Sequence, residues 1–392
     1  MTEPEIDNSA EVALPMPDSL FSQRNWLALL SGAEFKGAFE YPLYSDTRIT
    51  GEYPTGLGPY SFLNAVPLSD GPGNVNAPII VRASIYLDQD RPSMLQKNES
   101  LYHGGIFIDE IAALTSLCLG ARVRAGGMSR RFELGGDTLG RPCAWDDKPK
   151  PTVNVRRNRL VLPSVVGAHS LDKIKLLSSI PTLSPGQYVS LIRACKSYQD
   201  ALWVAESEPN LAWLMLISAI ETAANEFKAS QGTPVDILRI SKPGLVKILE
   251  DTGGEAHVVN VANIIAPTIK ATAKFINFTL HFLPHEPEER PNLEWLRIDW
   301  SEKSLKEKIL NKVYDYRSRA LHGGIPFPAP MFEAPFYFDT KSFPSEKPPE
   351  ALAYHSHGGT WLPDDIPINL HCFHYIARGA LLNWWKSMAG IE

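Results

Sequence analysis

The sequence is short of cysteine. Four residues, Cys118, Cys143, Cys195 and Cys372, are scattered through 392 positions with no CxxC pair. That spacing argues against a zinc ribbon or a thioredoxin-type centre. Structural thiols in a reducing compartment fit this usage, so a cytoplasmic location is expected. Long apolar runs are also missing. The strongest, Leu211 to Ile220, is about half of the ~20 residues a spanning helix needs, and no membrane partner is expected. The opening MTEPEIDNSAE has no basic stretch followed by an apolar one, so it does not read as a secretory signal. Positive charge is not in excess: 38 basic and 44 acidic residues give a net −6. Any contact with nucleic acid must therefore come from a local patch. No GxSxG elbow, GxxxxGK[ST] loop or dinucleotide fingerprint occurs, which leaves Ser-His-Asp, P-loop and Rossmann readings without support. Proline is plentiful, with 32 residues predicting many loops and turns.

The organisation falls into three parts. Residues 1–20 are acidic and polar and read as a flexible tail. Residues 21–180 read as an α+β, strand-rich accessory or sensor domain. Its clearest strand is Ile79 to Leu87, where Ile79, Val81, Ala83, Ile85 and Leu87 alternate with a face carrying Arg82 and Ser84. Its clearest helix is 107–119, with Phe107, Ile111, Leu114 and Cys118 on one face and Gly120 as the stop. Gly135-Gly136 marks a turn. The stretch SSIPTLSPG, 178–186, is the expected boundary. Beyond it, 181–392 reads as an all-α helical domain. Helices are predicted over Tyr188 to Glu206, Pro209 to about Lys228, Val258 to Phe282 and Glu302 to Leu321, with a last one over Pro367 to Met388. Pro267 is expected to kink or split its helix. A Pro- and aromatic-rich loop, 325–365, either wraps the domain or, together with Trp384-Trp385, docks a partner.

The richest stretch chemically is Val313 to Gly324, VYDYRSRALHGG. Arg317 and His322 are separated by four residues, and Ser318 follows the arginine. Histidine suits proton transfer near neutral pH. Arginine offers fixed forked donors for a phosphate. The same residues also suit a plain helix end, with the arginine solvated and the histidine capping carbonyls. On an ideal helix five positions set the two side chains ~140° apart. Non-helical backbone before Gly323-Gly324, or a second copy of the chain, would have to bring them together. Upstream, Glu221 follows an apolar run in LMLISAIETAANEF. It reads either as a partly buried carboxylate that orients Arg317 or as an exposed acid at the edge of the stripe. Arg319 either reaches phosphate or faces water.

This arrangement resembles the active-site signature of the HEPN superfamily, and its surroundings resemble the ApeA-like HEPN branch. There a tyrosine-bearing helix runs into an Arg-Ser pair and ends in His-Gly, after a helix with a glutamate behind an apolar run. The resemblance covers roughly residues 186–325. It implies an all-α HEPN-like helical bundle there, so the expected fold is the α+β N-terminal domain followed by that bundle; residues 1–180 and the tail after Gly324 lie outside the resemblance. It implies a metal-independent endoribonuclease that leaves 2′,3′-cyclic phosphate and 5′-hydroxyl ends, with RNA as substrate and no cofactor. It further implies a homodimer and a toxin-like role in bacterial antiphage defence. In that reading Arg317 and His322 are catalytic, and Ser318, Glu221 and Arg319 support them. The alternative within the same family is a module that binds nucleotide, RNA or protein without cutting.

Two other clusters stand out. Between Arg122 and Arg159 lie ten basic and four acidic residues, a local +6. Arg122, Arg124, Arg130, Arg131, Arg156 and Arg157 are candidates for guiding an RNA backbone. A solvated sheet face or internal ion pairs would explain the same charges. His355, His357, His371 and His374, with Cys372 and Asp364-Asp365 near, form no recognisable ligand spacing, so no metal is expected.

Overall fold

In a computed structural model the described residues are 17–65, 71–88, 97–143, 148–155, 159–227, 233–339, 342–349 and 351–391. The chain has an N-terminal sheet region and a mostly helical C-terminal part. Helix α1 (Phe21–Leu30) leads into β1 (Gly37–Ser45), β2 (Arg48–Thr50), β3 (Tyr60–Asn64) and β4 (Asn76–Ile85). Then come α2 (Phe107–Leu119), β5 (Arg124–Ala125), β6 (Arg130–Phe132), β7 (Arg141–Pro142) and β8 (Ala168–Ser170). The main sheet runs β3-β4-β1-β6-β7, with β5 also on β1. Its centre is the antiparallel β1–β4 pair, in register from Gly37 opposite Ile85 to Leu43 opposite Ile79. The alternation predicted for β4 holds: Ile79, Val81, Ala83 and Ile85 are buried. Leu87 falls beyond the strand. Gly135 and Gly136 both take positive φ in the turn between β6 and β7, as expected.

The 107–119 helix forms as predicted and ends at Gly120, whose φ of 70° is the left-handed conformation glycine adopts without strain. Its burial is wider than one face. Ile108, Ile111, Ala112, Ala113, Leu114 and Leu117 are all fully buried, so α2 is covered on both sides. The sheet lies on one side and the helical part on the other.

Helix α3 (Pro185–Val204) starts on a capping box between Ser184 and Gln187, with Pro185 in the first turn. Helix α4 (Pro209–Glu226) follows. Then come α5 (Pro234–Ser241) and α6 (Pro243–His281). Helix α6 is kinked at Gly254, which leaves helical geometry. Helical backbone continues through Pro267, so the split expected there does not occur. The 302–321 helix is present as α7 (Glu302–Ser304), a π-helical stretch Leu305–Leu310, and α8 (Asn311–Gly323). A π stretch shifts the phase of the side chains that follow it. After two short strands, β9 (Tyr354–Ser356) and β10 (Gly359–Trp361), α9 (Leu370–Met388) closes the chain.

The core is continuous across 178–186. One buried cluster runs from Leu20 through α2, α3 and α4 to Trp385 in α9. That stretch marks a change of secondary structure, and the apolar packing does not divide there. The expected tail ends earlier than residue 20, because Ser19 and Leu20 are buried; residues 1–16 lie outside the described residues. Trp384 and Trp385 are also buried, and Trp385 donates to Ser179 at 3.0 Å. They are core residues, which overturns their reading as docking groups. The 325–365 segment wraps the chain. Phe327 of this segment and Phe373 of α9 both stack on the Trp213 ring, 5.1 and 4.6 Å between centroids. Glu346 is pinned by Arg290 at 2.7 Å. Each aromatic pair contributes about 0.5–1.5 kcal/mol beyond area burial.

Candidate functional site

Helix α4 is anchored by Trp213, Leu216, Ile217 and Ile220, all fully buried. Glu221 follows at the edge of that stripe and points at α8. There Tyr314 and Arg317 lie three positions apart, hence on one face. The Tyr314 hydroxyl donates to Glu221 Oε1 at 2.7 Å, and Arg317 Nη2 donates to Glu221 Oε2 at 2.8 Å. Both carboxylate oxygens are therefore engaged. The guanidinium also sits 5.4 Å from the Tyr314 ring centroid. Burial, and then the bond to Glu221, holds the Tyr314 phenol well above its ordinary range. It stays a neutral donor at any physiological pH.

Glu221 and Arg317 side chains are 19% and 23% exposed, so the pair is shielded and still open to solvent at one edge. Glu221 takes a single Arg317 nitrogen, and Nε and Nη1 make no hydrogen bond to the described residues. A guanidinium clamped at one corner and free at the others can meet an anion without reorganising. Of the two sequence readings of Glu221, the geometry favours the orienting carboxylate.

His322 lies on the last turn of α8, exposed, without a hydrogen-bond partner among the described residues. The backbone stays helical through Gly323, and the left-handed residue is Gly324, φ 64°. The swing of backbone that would turn His322 toward Arg317 is therefore absent. Within one chain the two side chains diverge by ~140°. Ser318 is half-buried and Arg319 exposed. Arg319 covers the Tyr316 ring at 5.5 Å, which makes it a surface cation packed on an aromatic. Tyr316 itself donates to the Asp365 carbonyl at 2.6 Å, fixing α8 to the wrapping segment. Exposed Leu321 and Ile325 flank His322.

The basic cluster divides. Arg122 is completely buried and forms ion pairs with Asp46 at 2.7 Å and Glu206 at 3.0 Å. Its third bond goes to the Leu202 carbonyl at 2.8 Å. It cannot touch a phosphate, so its candidacy as a substrate contact is withdrawn; it ties β1, α2 and α3 together. Arg130 is bonded to the Leu139 and Gly140 carbonyls and faces Glu40. Arg131 is exposed on β6. Arg156 and Arg157 lie outside the described residues. Arg124 pairs with Asp200 at 2.6 Å and lies over the Trp203 ring. It also lines a cleft of about 650 Å³ with Arg193 and Lys196 of α3 and Thr222 of α4. Thr222 is the neighbour of Glu221. The reading by charge runs missed Arg193 and Lys196. Their signal was helical spacing, three positions apart on α3.

Among the described residues no group of three or more His, Cys, Asp or Glu side chains is placed to hold a metal ion. His374 is buried and His371 partly buried on α9, while His355 pairs with Thr360 across β9 and β10. No helix of the described residues is long and apolar enough to cross a membrane. No family model, curated protein or solved structure matches this chain.

Proposed function

We propose that the α4–α8 face is the working face of a metal-independent, HEPN-type endoribonuclease. The observation that carries the reading is the Glu221–Arg317–Tyr314 cluster, a partly exposed guanidinium clamped by a carboxylate and an aromatic. Arg317 binds the scissile phosphate and stabilises charge as the 2′-oxygen attacks phosphorus. His322 handles the proton: one leaves the 2′-hydroxyl and one reaches the departing 5′-oxygen. The P–O5′ bond breaks as the P–O2′ bond forms, leaving 2′,3′-cyclic phosphate and 5′-hydroxyl ends. Ser318 and Arg319 flank the phosphate, and Arg124 lies on the approach through α3. Because Arg317 and His322 diverge within one chain, the complete centre is built by a homodimer, with one motif completing the other. The biological setting is that of a toxin-like antiphage effector in the cytoplasm. The exposed, unsupported His322 favours a second reading, a module that binds RNA, nucleotide or a protein without cutting it.

End-group analysis separates the two. Purified protein is incubated with labelled tRNA and total RNA in excess EDTA. Fragments with cyclic-phosphate and 5′-hydroxyl ends support the nuclease. Binding without fragments, unchanged in His322→Ala, supports the binding module.

A further inference from the structure

Helix α4 carries a second tether beside Glu221. Asn225 follows one turn later on the same face, about 6 Å along the axis. Its side-chain oxygen accepts from the Lys274 ammonium of α6 at 2.9 Å. Lys274 is carried there by its neighbour. Phe275 is fully buried, and its ring meets the Tyr314 ring at 5.2 Å. Tyr314 is the same residue that donates to Glu221. Two cations are thus held along one edge of α4, Arg317 by Glu221 and Lys274 by Asn225.

The two tethers differ in kind. Glu221 offsets the charge it holds, whereas the Asn225 amide is neutral and leaves the ammonium charge whole. Lys274 is partly exposed and makes no ion pair with the described residues. An ammonium has three donors, and the amide takes one. The carboxylates of α4, α6 and α8 are engaged or distant. Both Glu221 oxygens are taken. Glu226 accepts from Ser190 of α3 at 3.3 Å, and Asp315 pairs with Lys242 at 2.7 Å. Glu255, the last acid of α6, lies about 28 Å back along that helix and pairs with Arg239. Lys270 stands one turn before Lys274 on the same face of α6 and extends the positive row. An ammonium held by an amide, one turn from a clamped guanidinium, suits a second anionic group of the same ligand.

We propose that Lys274 is a substrate-binding residue that holds a phosphate of the RNA strand next to the one bound by Arg317. The inference rests on the nuclease reading and deepens it. The substrate is then a strand with at least one phosphate beyond the scissile one, running along the exposed edge of α4. Asn225 positions the ammonium for it.

The test compares the full-length wild type with Lys274→Ala, Lys274→Arg and Lys175→Ala, each shown by circular dichroism to be folded. A fluorescent 2′-O-methyl oligouridylate, which lacks the attacking hydroxyl and cannot be cut, is titrated by anisotropy over a range of salt. Lys274→Ala is expected to weaken binding about ten-fold. It is also expected to lessen the slope of log K against log salt by about 0.7, one single-strand phosphate contact. Lys274→Arg keeps both values, and Lys175→Ala, on the exposed stretch after β8, changes neither. With a cleavable oligouridylate, Lys274→Ala raises KM about ten-fold at unchanged kcat. With the dinucleotide UpU, which has the scissile phosphate alone, it changes nothing. An unaltered affinity in Lys274→Ala, a weakened affinity with an unaltered salt slope, or an equal loss on UpU would overturn the proposal while wild-type cleavage keeps the nuclease. Binding without cleavage, still lowered in affinity and slope by Lys274→Ala, would refute the nuclease and keep Lys274 as a phosphate contact. A wild type that binds no RNA would overturn both.

Discussion

Cutting the Glu221–Arg317 pair from both ends tests whether the carboxylate truly holds the guanidinium. The three variants are Glu221→Ala, Arg317→Ala and the double. A hydrogen bond to a charged group contributes about 1.5–3 kcal/mol when it is shielded. Both side chains keep roughly a fifth of their exposure, and solvent screening reduces the figure. The expected coupling is therefore about 1–2 kcal/mol. Glu221→Ala is expected to cost more than Arg317→Ala, because it also strands the Tyr314 hydroxyl, which bonds the other carboxylate oxygen at 2.7 Å. Urea denaturation of the four proteins measures this directly, with the slope checked for constancy. Single-variant losses that add to within about 0.5 kcal/mol of the double would refute the clamp. In the same set, Glu221→Gln should lower RNA cleavage while leaving end groups unchanged, since it loosens Arg317 without removing it.

Three further outcomes follow from other parts of the molecule. Arg122→Ala leaves Asp46 and Glu206 buried and unpaired, so a loss of about 3–5 kcal/mol in denaturant is expected; a near-neutral variant that merely weakens RNA binding would restore Arg122 as a surface contact. Burial pushes the His371 imidazole down to about 4, holds the His374 imidazole well below its ordinary value, and lowers His169 as well. The unfolded chain then binds more protons than the folded one below pH 6.5, so stability falls as pH drops from about 6.5 toward 4. Each such histidine adds about 1.4 kcal/mol per pH unit to that slope; buried Glu110, whose carboxyl is raised by desolvation, works the other way. His371→Gln should flatten the profile, and an unaltered slope in that variant would contradict the assignment. Finally, coexpressing Arg317→Ala with His322→Ala chains should restore part of the cleavage that each loses alone, because mixed dimers retain one intact pair; complete silence of the mixture would argue against a centre shared between copies.

The sequence carried the local structure further than the packing. The period-two pattern of β4 and the glycine stop at Gly120 were readable because each depends on a few neighbouring residues. The breadth of α2 is also written in its alanines and leucines, which are apolar around the whole helix; an i, i+4 stripe covers only the part that meets one neighbour, whereas the core that α2 joins runs on across 178–186. Arg122 shows the limit of charge counting. A run of basic residues looks alike whether its members are solvated or, like this one, enclosed by Asp46 and Glu206 from distant parts of the chain. The adjacent Trp384 and Trp385 misled for a similar reason: α9 is covered on two sides, so consecutive positions are both interior. At the candidate site the Glu221–Arg317 pairing was legible, because an acid at the edge of one apolar stripe and an arginine on another have few partners. The role of Tyr314 was not legible, since only the π stretch ahead of α8 fixes which face its residues present.

The central claim is that Arg317 and His322 together cut RNA without a metal. Wild-type protein, Arg317→Ala and His322→Ala, each shown by circular dichroism to be folded, should be compared on labelled RNA in excess EDTA. Cleavage by wild type, with loss of at least about a hundred-fold in either variant, as expected when a catalytic proton or charge contact is removed, is the predicted result. Cleavage of equal rate by all three proteins would contradict it.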